Sequence, residues 1–173
     1  HVHDLTFLRT EVLFRIIAAT GQTEEKARSL ALAAFAVFFK GRNDVAFFPG
    51  ALDMLETLSQ RYTLFALTNG NADVQQVGIS KFLAGAVSSA DVGASKPSHL
   101  MFEAVLAKAG ARADQCIHVG DHLIDDIEGA RNAGLHTLWV NLTEQVATAS
   151  QANIEVTNLE ELPTALEDYQ RNL

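Results

Sequence analysis

From residue 48 onward, short apolar runs alternate with stretches of helical spacing, and no other feature limits the fold of this chain as much. The runs fall at 62–67, 86–89, 116–119 and 135–140, with a last short one at 153–157. Helices are expected at 51–60, with Leu52, Leu55 and Leu58 inward, at 98–109, at 126–133 and from about residue 159. Residues 73–82 read as short and helical or irregular. Gly110 and Gly134 stop two of these helices. Strands that alternate with helices imply a parallel sheet with right-handed crossovers. The run at 62–67 is almost continuously apolar, as strands buried on both faces are.

The first forty residues have a different texture. Leu5, Leu8, Val12 and Ile16 recur at helical spacing, with Leu13 and Ile17 widening the stripe, up to Gly21. Thr23 is placed to N-cap a second helix with Glu24 and Glu25 in its first turn. That helix is expected to end near Lys40 and Gly41. It is apolar nearly all round from 31 to 39, so packing on more than one side is expected. The polar stretch Gly41-Arg42-Asn43-Asp44 reads as a loop. It divides a helical unit, 1–46, from an α/β unit, 47–173.

Three polar signatures follow apolar runs. In open α/β sheets, ligands bind beyond the carboxyl ends of strands. In Leu67-Thr68-Asn69-Gly70-Asn71, the Thr68 hydroxyl, Asn69 and the N–H groups at Gly70 suit phosphoryl oxygens. Asn-Gly alone also marks an ordinary turn. In Ser95-Lys96-Pro97, an ammonium held extended before proline could neutralise a phosphate and a carboxylate. A lone loop lysine would be solvated, and Ser98 is placed to cap the helix behind it. In Gly120-Asp121-His122-Leu123-Ile124-Asp125-Asp126, three acids stand at a strand end. Mg²⁺ takes oxygen ligands, often one or two carboxylates with waters and phosphate. Asp121 is the candidate ligand, Asp126 an outer ligand, and Asp125 an alternative partner for Lys96. Plain N-capping accounts for at least one of these acids.

His118 reads as a core residue, and His122 as a possible pocket or proton-transfer group. Cys116 and Trp139 read as core, and His1 and His3 as tag remnants or disordered residues. Arg42 and Asn43, near the hinge, are candidates for substrate contact.

Taken jointly, Leu67–Asn71, Gly93–Pro97 and His118–Asp121 through Gly134 resemble motifs II, III and IV of the haloacid dehalogenase superfamily. The resemblance is close over about 47–142, and the leading helices resemble the second half of a helical cap. The signatures look most like those of cytosolic phosphatases acting on flavin mononucleotide, a riboflavin precursor or sugar phosphates. The resemblance implies a Rossmann-like parallel-sheet core with a small helical cap and a Mg²⁺-dependent phosphatase. The substrate would be a small phosphorylated metabolite, hydrolysed through an aspartyl-phosphate. By motif match Thr68 and Lys96 are catalytic, with Asn69 and Gly70 beside them at the substrate. Asp121 and Asp126 serve the metal. The family's first motif, an Asp-x-Asp strand, is absent here, and His3-Asp4-Leu5-Thr6 does not replace it. That strand would be central, so its absence should split the sheet and leave the cap helices short of partners. The chain does not begin with Met, and an upstream segment carrying nucleophile and acid/base is expected.

The formal net charge of -8 argues against a nucleic-acid backbone or an anionic membrane as partner. A single cysteine excludes an internal disulfide, and with no signal peptide or membrane-length apolar stretch the cytoplasm is the expected compartment. A metal-independent dehalogenase is the first alternative. Gly120-Asp121 argues against it, since those enzymes tend to carry Ser-Asn-type residues there. A phosphomutase and a non-catalytic phosphate- or protein-binding relative are the others.

Overall fold

The computed structural model describes residues 1–143 and 150–173. It begins with two long helices, α1 (Leu5–Ala18) and α2 (Glu24–Asn43). Asp4 caps α1 by accepting the Phe7 N–H at 2.9 Å, and Thr23 caps α2 by accepting the Lys26 N–H. The helices pack on each other through Ala27 and Ala31, both fully buried, and Glu11 accepts from Arg28 at 3.1 Å. Two expectations need correction. Helix α2 does not stop at Gly41 but runs to Asn43, because Asn43 caps it internally, donating to the Phe39 carbonyl at 2.8 Å. The irregular connection between α2 and the next helix is therefore 44–50. Nor is α2 covered on several sides. Leu32 is 61% and Val37 76% exposed, since among the described residues α1 is its main helical neighbour.

The rest alternates as the apolar runs require. Helix α3 (Ala51–Ser59) leads to strand β1 (Phe65–Thr68). The short helix α4 (Val74–Val77) and a 3₁₀ turn lead to β2 (Gly85–Ser88). Helices α5 (Ser89–Val92) and α6 (His99–Ala109) precede β3 (Ile117–Gly120). A π-helical turn (Leu123–Glu128) and α7 (Gly129–Asn132) lead to β4 (His136–Val140), then β5 (Ile154–Val156) and α8 (Leu162–Arg171). Leu58 and Ala51 face inward on α3, but Leu52 faces out at 40% exposure. The expected helix at 126–133 starts earlier, at Leu123, and opens as a π turn. The His122 carbonyl accepts from the N–H of both Asp126 and Ile127.

All strand pairs are parallel, but they form two sheets. Strand β1 pairs with β2 from Phe65–Gly85 to Thr68–Ser88. Strand β3 pairs with β4 from Ile117–His136 to Gly120–Trp139, and β4 pairs with β5. One buried cluster gathers Leu58, Leu138, Val156, Leu162 and Leu166 under α3 and α8. A second gathers Ala94, Met101, Phe102, Ala130 and Leu135 under α6 and α7. Helices thus cover the strands from two sides, which is what α/β strands without an alternating polar face demand. Between the two sheets lies a groove of about 470 Å³, lined by Phe65 and Leu67 of β1, Ile117 and Val119 of β3, and Leu106 and Leu166. Strands β1 and β3 are consequently half-exposed, whereas the middle of β4 is buried.

Candidate active site

The three polar signatures meet where β1 and β3 end. Asn69 organises the first contact. Its Oδ1 accepts the Lys96 N–H at 2.7 Å, and its Nδ2 donates to the Lys96 carbonyl at 3.0 Å. This reciprocal pair fixes the main chain of Lys96 against the loop after β1. The Lys96–Pro97 peptide is cis. From there the Lys96 ammonium turns inward, donating to the Leu67 carbonyl at 3.1 Å and to Asp126 Oδ1 at 2.5 Å.

Asp126 is the anchor of the site. Besides Lys96, its Oδ1 lies 2.9 Å from His118 Nε2, and its Oδ2 accepts the His122 N–H at 3.0 Å. An ionised carboxylate only accepts, so Nε2 of His118 carries the proton. Burial alone would raise the carboxyl of Asp126. Hydrogen bonds from His118 and Lys96, the Lys96 charge and the His122 N–H outweigh it and hold the carboxyl well below the usual range. Asp126, not Asp125, is therefore the partner of Lys96. Asp125 faces Asn69, whose Nδ2 is 3.5 Å from its Oδ2.

Two glycines create the room. A Cβ on Gly120 would overlap Asp126 Cγ and stand 2.5 Å from its Cβ, so only glycine at the end of β3 lets Asp126 fold back over the strand. A Cβ on Gly129 would meet Phe102 at 2.9 Å and the Pro97 backbone at 3.0 Å, so α7 abuts the loop that carries Lys96.

His118 sits edge-on to Phe102. Its bond to Asp126 was missed from sequence, although a signal existed: His118 and Gly120 are two apart on a strand and share a face. His122 caps the π turn through Nδ1, which accepts the Asp125 N–H at 3.0 Å. The acids do not fill that capping role. Ser98 occupies the N-cap position of α6 without a side-chain cap bond. His3 is not disordered, as its Nδ1 meets Ser95 Oγ and its carbonyl accepts from the buried Ser89, both at 2.8 Å. Burial, then the Asp114 charge, raises the Cys116 thiol, which suits a packing residue rather than a nucleophile. Trp139 is buried and donates to the Asp121 carbonyl at 3.0 Å, fixing the turn that presents Asp121.

Thr68 Oγ1 accepts the Gly70 N–H at 2.8 Å, which leaves its proton for a ligand. A cavity of about 380 Å³ opens beside Thr68, Gly70 and Asn71 and is also lined by His3, Thr6 and Phe39. Its size suits a small ligand. The donor set fits Mg²⁺ in part. The Asp121 carboxylate is exposed and makes no hydrogen bond among the described residues. The three donors on Asp126 suit an outer role. Among the described residues no three His, Cys, Asp or Glu side chains gather as a metal cage, and Mg²⁺ does not demand one.

The model of haloacid dehalogenase-like hydrolases matches residues 5–134. The chain belongs to that family. The crystal structure of a 2-haloacid dehalogenase from Pseudomonas syringae pv. Tomato DC3000 superposes with a TM-score of 0.93 at 37% identity, over 96% of this chain and 73% of that one. The 5-amino-6-(5-phospho-D-ribitylamino)uracil phosphatase YigB of Escherichia coli (strain K12) is 29% identical over 80% of this chain and 58% of its own length. The phosphoserine phosphatase of Thermus thermophilus is 31% identical over 77% of this chain and 54% of its own. The chain thus spans little more than half the length of these curated relatives. No described helix of this family member is long and apolar enough to cross a membrane.

Proposed function

We propose that the protein is a Mg²⁺-dependent phosphomonoester hydrolase acting on a small phosphorylated metabolite, nucleotide-like or sugar phosphate, in the cytoplasm. Residues 1–46 form part of its cap and 47–173 its core. The observation that carries this reading is the Lys96 ammonium, held between the Leu67 carbonyl and Asp126 where β1 and β3 end. A parallel strand in the groove between β1 and β3 would join the two sheets and bring a carboxylate at its end to Lys96. In the reaction, a carboxylate oxygen of that strand bonds to phosphorus as the bond to the leaving oxygen breaks. A neighbouring acid gives that oxygen its proton. Water then attacks phosphorus, returning the carboxylate and inorganic phosphate. Thr68 donates its hydroxyl proton to a phosphoryl oxygen, Asn69 and Gly70 shape the turn, and Lys96 neutralises nucleophile and phosphate together. Mg²⁺, held by Asp121 with Asp126 as outer partner, would supply charge for the phosphoryl oxygens.

The similarity to a protein described as a 2-haloacid dehalogenase favours a second reading, metal-independent release of halide. One assay separates them: phosphate release from flavin mononucleotide and sugar phosphates, against chloride release from 2-chloropropionate, each with and without EDTA. The full-length protein is expected to release phosphate, and EDTA to abolish it. Chloride release that ignores EDTA would replace the phosphatase reading with the second. In the same assay Asp121→Asn is expected to lower activity about 100-fold and raise the Mg²⁺ concentration needed for half-activity. Unchanged activity would remove Asp121 from the metal site.

A further inference from the structure

Arg42 lies in the last turn of α2, and its guanidinium reaches the turn after β1. A Cβ placed on Gly70 would stand 3.1 Å from Thr68 Oγ1 and 3.7 Å from Arg42 Nη2. The hydroxyl and the guanidinium therefore flank one point in space, and glycine at 70 keeps that point open. Gly70 is not among the positive-φ glycines, so what the position requires is room, not an unusual backbone.

The placement of Arg42 is built in. Its neighbour Asn43 is buried, donates to the Phe39 carbonyl at 2.8 Å, and accepts the Asp73 N–H at 2.8 Å. That bond ties the end of α2 to the loop after β1. A second tie runs from Arg9 to Asn71 Oδ1 at 2.5 Å. Of the two hinge candidates, Asn43 is thus structural and Arg42 faces the site. Charge separates Arg42 from its neighbours. The Lys96 ammonium is already shared with Asp126, and Arg9 is engaged by Asn71 and lies over the Phe38 ring. Arg42 is exposed and, among the described residues, makes no hydrogen bond or ion pair.

We propose that Arg42 binds the anionic end of the substrate, donating to the oxygens of a dianionic phosphoryl group seated against Thr68. The assignment rests on the phosphatase reading above and adds to it a residue from the helical unit. Guanidinium presents a planar fork that matches two phosphoryl oxygens, which a lysine does not reproduce. Because the residue stands on α2, the contact joins that helical unit to the site at the moment of binding.

Calorimetric titration of the full-length protein with inorganic phosphate tests this without requiring turnover. Arg42→Ala is expected to weaken phosphate binding about tenfold or more, and Arg42→Lys to recover part of the loss. Lys40→Ala, which removes an exposed cation from the same helix, should leave binding unchanged. Equal affinity in wild type and Arg42→Ala overturns the proposal, as does absence of phosphate binding in the wild type. Steady-state kinetics with p-nitrophenyl phosphate give the second readout, a raised KM with kcat changed by no more than about threefold. A wild type that binds phosphate through Arg42 yet hydrolyses no phosphomonoester would sink the catalytic reading and leave this assignment standing.

Discussion

Asp126→Ala is expected to destabilise the protein by about 3–5 kcal/mol, the cost of leaving one partner of a buried ion pair uncompensated. The side chains involved are scarcely solvated: Asp126 is 7% exposed, Lys96 11% and His118 12%. Removing the carboxylate leaves the ammonium, among the described residues, with the Leu67 carbonyl alone, and leaves the His118 and His122 N–H groups without the acceptor they have here. Urea unfolding in the presence of EDTA measures the effect free of any metal contribution. A loss below about 1 kcal/mol would mean that the three donors find water instead and that Asp126 is no anchor.

The acid limb of stability gives an independent check. The folded-state carboxyl of Asp126 titrates below its unfolded value near 4. A group depressed in this way contributes fully above the unfolded value and loses its contribution as pH falls through that value toward the folded one. The stability gap between wild type and Asp126→Asn should therefore narrow as pH falls below about 4. A gap that persists unchanged to pH 3 would show that the charge of Asp126 is not what stabilises the fold.

Much of this arrangement was legible in the sequence, for physical reasons that can be named. The apolar runs located every strand to within a few residues, because strands sandwiched between helices must be apolar on both faces. Two of the three polar signatures, at Thr68 and Asp121, stood at strand ends, where parallel sheets expose ligand sites; the third, Ser95-Lys96-Pro97, is separated from β2 by α5 and reaches the site through Asn69. What could not be read was direction. Asp125 and Asp126 are adjacent and chemically identical. Only the π turn, with the His122 carbonyl accepting from two N–H groups, sends one toward Lys96 and the other toward Asn69. The end of α2 was misread because Gly41 and Arg42 look like a loop. Tertiary bonds from Asn43 to Phe39 and Asp73 override that local preference. His118 looked like core from its strand position, and half of its role, the bond to Asp126, depends on a residue eight positions away.

Gly120→Ala is the second large effect, and it probes the same anchor from the strand side. The new Cβ would stand 2.5 Å from Asp126 Cβ and overlap its Cγ. Asp126 cannot yield by rotating a flexible end, since its own Cβ is in the overlap. Either the π turn moves off the end of β3, or the carboxylate leaves Lys96 and His118. Both outcomes carry the cost of overpacking, about 1–3 kcal/mol, and both release the ammonium from its position. Activity in the full-length protein is expected to fall about 100-fold or more, since displacement by an ångström suffices for that. A double-mutant cycle with Asp126→Gly identifies the cause. With no side chain at 126, alanine at 120 should be tolerated at a cost smaller by about 1 kcal/mol or more than in the wild-type background. Additive losses would mean that alanine at 120 disturbs the end of β3 by some other contact. Strong coupling would tie the shape of one strand residue to the placement of the site's lysine.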